Sequence, residues 1–169
     1  RSATTYGKPK PTGRGSRRAG RGRRTATGPG KVMGWVENYG ALVAKVGKAI
    51  PAEPLYFLKA GTSLLAGGEA IRRPKSYSGK VIYEGELGIV IGRRLCQASE
   101  ADAADGIFGY TCINDVTAIE IIARDPGFAQ WTRAKSFDTF GAFGPVIATG
   151  LDPATLVVKT MLSDQERQH

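Results

Sequence analysis

The sequence predicts a mainly β domain with short helices behind a basic arm. Three observations carry that expectation. Short β-branched and aliphatic runs, such as Val81–Gly92 and Ile107–Val116, alternate with Gly and Pro. At 169 residues the chain is long enough for one domain with a real core. The charge is split along the chain. Residues 1–31 hold ten Lys and Arg and no Asp or Glu, leaving fourteen basic against all fifteen acidic residues, a net charge of −1 for the rest. The overall +9 therefore describes an arm, not the body.

Residues 1–30 contain little that could form a core. The run Gly13–Arg24 is Arg/Gly-rich, and such a segment cannot offset its ordering entropy by burying apolar surface. Arg14, Arg17, Arg18, Arg21, Arg23 and Arg24 are candidate phosphate contacts, because guanidinium binds phosphate in a bidentate fork. The expectation is an RNA- or DNA-binding arm; a solvated tail and the remnant of a targeting peptide are the other readings.

Lys31–Val36 reads as a first strand, and Asn38–Lys48 as a helix that Asn38 could cap and that Pro51 and Pro54 end. Leu55–Leu58 is a short strand and Gly61–Pro74 a loop. Val81–Gly92 is expected as one strand. Ser99–Gly106 suits a turn of helix before the strand Ile107–Val116, with Thr117–Ala123 apolar and helix-compatible. Asp125–Trp131 reads as a loop, and Val146–Thr149 and Leu156–Leu162 as the last strands. No apolar run approaches the roughly 20 residues of a membrane span. Cys96 and Cys112 are too few for a disulfide framework, which points to a reducing compartment.

One continuous strand would project Glu84 and Glu86 to the same face with Gly85 between them. Two adjacent carboxylates on an apolar strand repel each other and are costly to desolvate. Either they form a solvated acidic edge, or a hard cation such as Mg2+ compensates them through oxygen ligands.

Several ordered pieces resemble the fumarylacetoacetate hydrolase superfamily, which includes acylpyruvate hydrolases, oxaloacetate decarboxylases and isomerases of aromatic-ring degradation. They are Asn38–Tyr39, F-L-K at Phe57–Lys59, Y-E-G-E-L at Tyr83–Leu87, G-Y-T-C-I-N-D-V-T at Gly109–Thr117, W-T-R-A-K-S-F-D-T-F-G at Trp131–Gly141, and Gly144–Pro145. The resemblance spans residues 31–168 and implies a mixed β-roll. It also implies a Mg2+ or Mn2+ site built from Glu84, Glu86 and Asp115. Lys135 would assist an enolate or carboxylate there; the other reading of Lys135 is a surface residue paired with Asp138.

The departures are equally specific. The family's lid helix carries a His and, three residues on, a Glu that activate water; Leu42 and Lys45 stand at those positions, and the single His is His169. The family's R-D-x-Q after N-D-V-T-A is replaced by Ile119–Ile122. Family members continue beyond R-Q, here Arg167–Gln168, so the resemblance implies a roll incomplete at its C-terminal end, with an open edge. Together these features set the expectation of a weakly active or inactive enzyme fold: an RNA-contacting subunit among the protein chains of a ribonucleoprotein. The mitochondrial ribosome, in the mitochondrial matrix, is named first, and the metal site is vestigial. The alternative is an active Mg2+- or Mn2+-dependent hydrolase, decarboxylase or tautomerase of acylpyruvate- or oxaloacetate-type keto acids, in mitochondria or cytoplasm. The family's homodimer is a further expectation.

Overall fold

Strand pairing organises the chain. The computed structural model describes residues 29–45, 47 and 49–168. The arginines of the basic arm, Arg14 to Arg24, lie outside these residues. β1 (Val32–Val36) pairs antiparallel with β2 (Leu55–Lys59), and the short helix α1 (Gly40–Lys45) lies between them in sequence. Gly34 sits opposite Phe57, and a Cβ there would meet the Phe57 ring at 2.2 Å, so the hairpin closes only around glycine. Alternation along β2 turns Phe57 and Lys59 inward and leaves Tyr56 and Leu58 exposed.

The expected loop 61–74 contains structure. A 3-10 turn at Gly61–Ser63 leads into β3 (Leu64–Ala66). The expected single strand 81–92 is interrupted. It splits into β4 (Val81–Ile82) and β5 (Gly85–Ile91), with Tyr83 and Glu84 between them. The physical reason is a change of partner. β5 pairs with β6 (Ile107–Asp115), whereas β4 pairs with β7 (Thr117–Ala118). Only Val116 separates β6 from β7, and the Asp115 N–H donates to the Glu84 carbonyl at 2.8 Å across the break. Two sheets therefore meet at Glu84 on one side and Val116 on the other.

Helix α2 (Glu100–Asp105) starts where expected. The Ser99 hydroxyl accepts from the Asp102 N–H, and Glu100 and Asp102 occupy its first turn. Residues 117–123 divide between β7 and the short helix α3 (Ile119–Ile122). Helix α4 (Trp131–Lys135) follows, then β8 (Gly141–Phe143), which lies between β3 and β6. The four-stranded sheet runs β3-β8-β6-β5. Val146–Thr149 is not a strand. It touches the sheet at one bridge, where Ala148 and Tyr110 exchange two 2.8 Å backbone bonds, and Pro145 and Gly150 bound it. Of 156–162, only Thr160–Leu162 forms a strand, β9. It pairs with β10 (Gln165–Gln168) through a Ser163–Asp164 turn at positive φ, as a tight hairpin requires.

The core sits between the β4–β7 pair and helices α3 and α4. Tyr77, Val116, Ala118, Ile121, Ala134 and Phe140 form it, with Ile71, Val81, Ile122 and Phe137 packed around them. No helix among the described residues is long and apolar enough to cross a membrane.

Candidate active site

Four elements deliver charged side chains to the junction of the two sheets. Glu84 occupies the break between β4 and β5, Asp115 ends β6, Lys59 ends β2 on its inward face, and Lys135 ends α4. Lys59, Asp115 and Lys135 are all buried. The Lys59 ammonium donates to Asp115 Oδ1 at 2.5 Å, and the Lys135 ammonium donates to Asp115 Oδ2 at 2.7 Å. Lys135 also bonds Glu84 Oε2, and donates to the Thr117 hydroxyl at 2.8 Å. That hydroxyl lies 3.1 Å from Glu84 Oε2. The Phe57 and Trp131 rings stack 6.2 Å apart and lie 4.9 and 5.9 Å from Lys135 Nζ, so the ammonium has aromatic as well as carboxylate neighbours.

Glu86 has a different environment. It bonds the phenol of Tyr39, whose oxygen also accepts from the Leu87 N–H at 3.2 Å. Burial pushes the Glu86 carboxyl from its ordinary 4.5 up to about 7; the nearby Glu84 and Asp115 charges add to the rise, and Tyr39 and Lys135 oppose it. Burial likewise raises the Tyr39 phenol to about 12. Burial lowers Lys59, while the Asp115 carboxylate works to keep it charged.

The structure thus gathers Glu84, Asp115 and Lys135 into one cluster and leaves Glu86 beside it. Lys135 is not a surface residue, and its ion-pair partners are Glu84 and Asp115, not Asp138. Lys59, Thr117 and Tyr39 join the site without having been singled out for it. The signal for Lys59 was in the alternation of β2, which sets a lysine on the same face as Phe57.

Among the described residues no three His, Cys, Asp or Glu side chains are arranged to hold a metal ion. The Lys135 ammonium lies between Glu84 and Asp115 instead. The donor set nevertheless fits a hard divalent cation. It offers carboxylate oxygens from Glu84, Glu86 and Asp115 against the ammoniums of Lys59 and Lys135, an excess of one negative charge when all are ionised. Among the described residues Glu86 has no ammonium partner, and burial raises its proton affinity.

Comparison with known proteins identifies the architecture. The model of the fumarylacetoacetate (FAA) hydrolase C-terminal family matches residues 31–169. The chain belongs to the fumarylacetoacetate hydrolase family. A protein of Archaeoglobus fulgidus is 42% identical over 135 residues, covering 80% of this chain and 52% of that one. A 5-carboxymethyl-2-hydroxymuconate delta-isomerase structure from Mycobacterium smegmatis is 40% identical with a TM-score of 0.71, over 82% of this chain and 51% of that one. A 2-hydroxyhepta-2,4-diene-1,7-dioate isomerase structure from Mycobacterium marinum is 45% identical with a TM-score of 0.64, over 70% of this chain and 46% of that one. The chain spans about half the length of the curated relatives it matches.

Two of the departures from the family pattern fall on helices. Leu42 and Lys45 belong to α1. Ile119–Ile122 form α3, where Ile121 is buried and Ile122 packs against the core. Glu120 accepts from the Lys80 N–H at 3.0 Å. This segment therefore serves packing and the anchoring of the 77–80 loop.

Proposed function

We propose that this fold carries a divalent-cation-dependent site for isomerising keto acids, with Glu84, Glu86 and Asp115 as ligands and Lys135 as the catalytic cation. The observation that carries this reading is the buried ammonium of Lys135 set against Glu84 and Asp115, with Glu86 beside them and short of a positive partner. When bound, Mg2+ or Mn2+ would polarise a substrate carbonyl and neutralise the charge of its enolate. Lys135 Nζ can donate a hydrogen bond to an oxyanion developing beside it by exchanging its bond to Glu84 Oε2, while Asp115 Oδ2, Thr117 Oγ1 and the stacked rings of Phe57 and Trp131 hold it in place. Lys59 holds the other oxygen of Asp115, so that carboxylate has a fixed orientation.

Tautomerisation is favoured over C–C hydrolysis. Hydrolysis needs a base to activate water, and Leu42 and Lys45 stand where the family places its His and Glu. The names of the two isomerase relatives agree with this preference, and suggest unsaturated hydroxy-dicarboxylic acids as the substrate class. The test is ultraviolet-monitored turnover of such diacids, and of oxaloacetate and acylpyruvates, by the purified chain with Mg2+ or Mn2+. Metal-dependent isomerisation abolished in Glu84→Ala is the expected result; no metal-dependent turnover of any of these compounds would sink the reading.

The cationic composition of residues 1–31 supports a second property, contact with RNA, and with it membership of a ribonucleoprotein such as the mitochondrial ribosome. The relatives, isomerases and hydrolases by name, favour the first reading. Salt-sensitive RNA binding that survives deletion of residues 1–30 would remove the arm from this account.

A further inference from the structure

The β9–β10 hairpin reaches the candidate site at one residue, Gly85, which lies between the two glutamates. The side-chain amide of Gln168 pairs with both backbone groups of Gly85. Its Nε2 donates to the Gly85 carbonyl at 3.0 Å, and its Oε1 accepts from the Gly85 N–H at 3.0 Å. This side chain does what a neighbouring strand would do for β5 at that point. The Thr160 hydroxyl, directly across the hairpin from Gln168, donates to the same Oε1 at 3.1 Å and orients the amide. A bulge between Glu166 and Gln168 re-aims Gln168 toward β5.

The fit is close on the other side too. A Cβ at position 85 would lie 2.0 Å from Thr160 Oγ1, so a side chain here would displace that hydroxyl. Gly85 is also the first residue of β5, where the chain leaves the break at Glu84. Its backbone therefore sets the direction in which Glu84 leaves toward Lys135 and Glu86 leaves toward Tyr39.

We propose that Gln168 and Thr160 are positioning residues for the divalent-cation site: by pinning Gly85 they fix the relation of the Glu84 and Glu86 carboxylates and hence the affinity for the cation. The inference rests on the reading of those two glutamates as ligands. Side chains that orient metal ligands without touching the ion have measurable effects on its affinity.

The experiment is Mn2+ binding by the 169-residue chain, read from the electron-paramagnetic-resonance signal of the unbound ion, with circular dichroism to confirm folding. Gln168→Leu and Thr160→Val, close in size to the originals, should weaken Mn2+ binding about 10–100-fold, whereas Thr160→Ser, which keeps the hydroxyl, should stay within about twofold of the parent. If Gln168→Leu does not fold, Thr160→Val and Thr160→Ser decide the matter. Parent-like affinity in Gln168→Leu or Thr160→Val, even with a lowered melting temperature, would overturn the positioning role. Glu84→Gln and Glu86→Gln separate the two levels. If they also bind Mn2+ like the parent, or if the parent takes up none, the ligand assignment fails and the positioning role falls with it. If they lose Mn2+ while the hairpin variants do not, only the positioning role fails.

Discussion

Asp115 and Glu86 are neighbouring carboxylates of the site with different partners. Asp115 is buried and receives one ammonium on each oxygen, from Lys59 and from Lys135. Glu86 is half-buried and receives a phenol. Asp115 has two ammoniums against its carboxylate, whereas at Glu86 burial raises the affinity for a proton. The contrast separates structure from chemistry. One end of the site is balanced by ammoniums of the chain itself, and at the other the proposed cation would take that part.

The largest test removes the cation from the balanced end. Lys135→Met should cost about 3–5 kcal/mol of stability, because it leaves buried carboxylate charge uncompensated. Denaturant unfolding would measure that loss. In the proposed reaction the same change should lower kcat about 100–1000-fold, the effect of losing one oxyanion donor. A variant as stable as the parent would mean that Lys59 alone balances the cluster.

The next test addresses the other end. Between pH 4.5 and about 7 the folded protein holds a proton on Glu86 that the unfolded chain has released. The unfolded state then binds fewer protons, so stability falls as pH rises through this window. Glu86→Gln should reduce that slope, and so should saturating Mn2+ in the parent. Melting temperatures across the window, with and without Mn2+, would show either outcome; a slope indifferent to both would mean that Glu86 is not the group responsible.

The smallest effect is expected at Tyr39. Tyr39→Phe removes a hydrogen bond that favours ionised Glu86, so it should move the Glu86 titration upward and cost about 0.5–1.5 kcal/mol near neutral pH. The carbon-13 carboxyl resonance of Glu86 would follow the titration directly. A downward shift would assign Tyr39 the opposite influence.

Much of the site could be read from local chemistry, and its geometry could not. Glu84, Glu86 and Asp115 stand out as carboxylates in β-branched runs, and Lys135 as a basic residue in a quoted motif. The interruption at Tyr83 and Glu84 has only a weak local signal, Gly85, because Val81, Ile82, Tyr83 and the run after Leu87 favour extended backbone. It arises from partners distant in sequence, β6 and β7, and the bonds to Gly85 come from Gln168 at the far end of the chain. Helix α4 was missed for a different reason: five residues are too few to show a helical period. Val146–Thr149 has strand-forming residues but only one bridge to a sheet, so composition there overstated the pairing.

Helix α4 places consecutive residues in two environments. Ala134 is fully buried in the core and Lys135 is buried in the charged cluster, one peptide bond apart. A mutation that thickens or thins the packing beneath Ala134 moves the ammonium as well. Neutral drift in this turn should therefore be narrow, since a substitution there bears on the core and on the charged cluster at once. Compensating changes should then collect on the surfaces facing α4, in Phe57, Ile121 and Phe140, rather than within the helix itself.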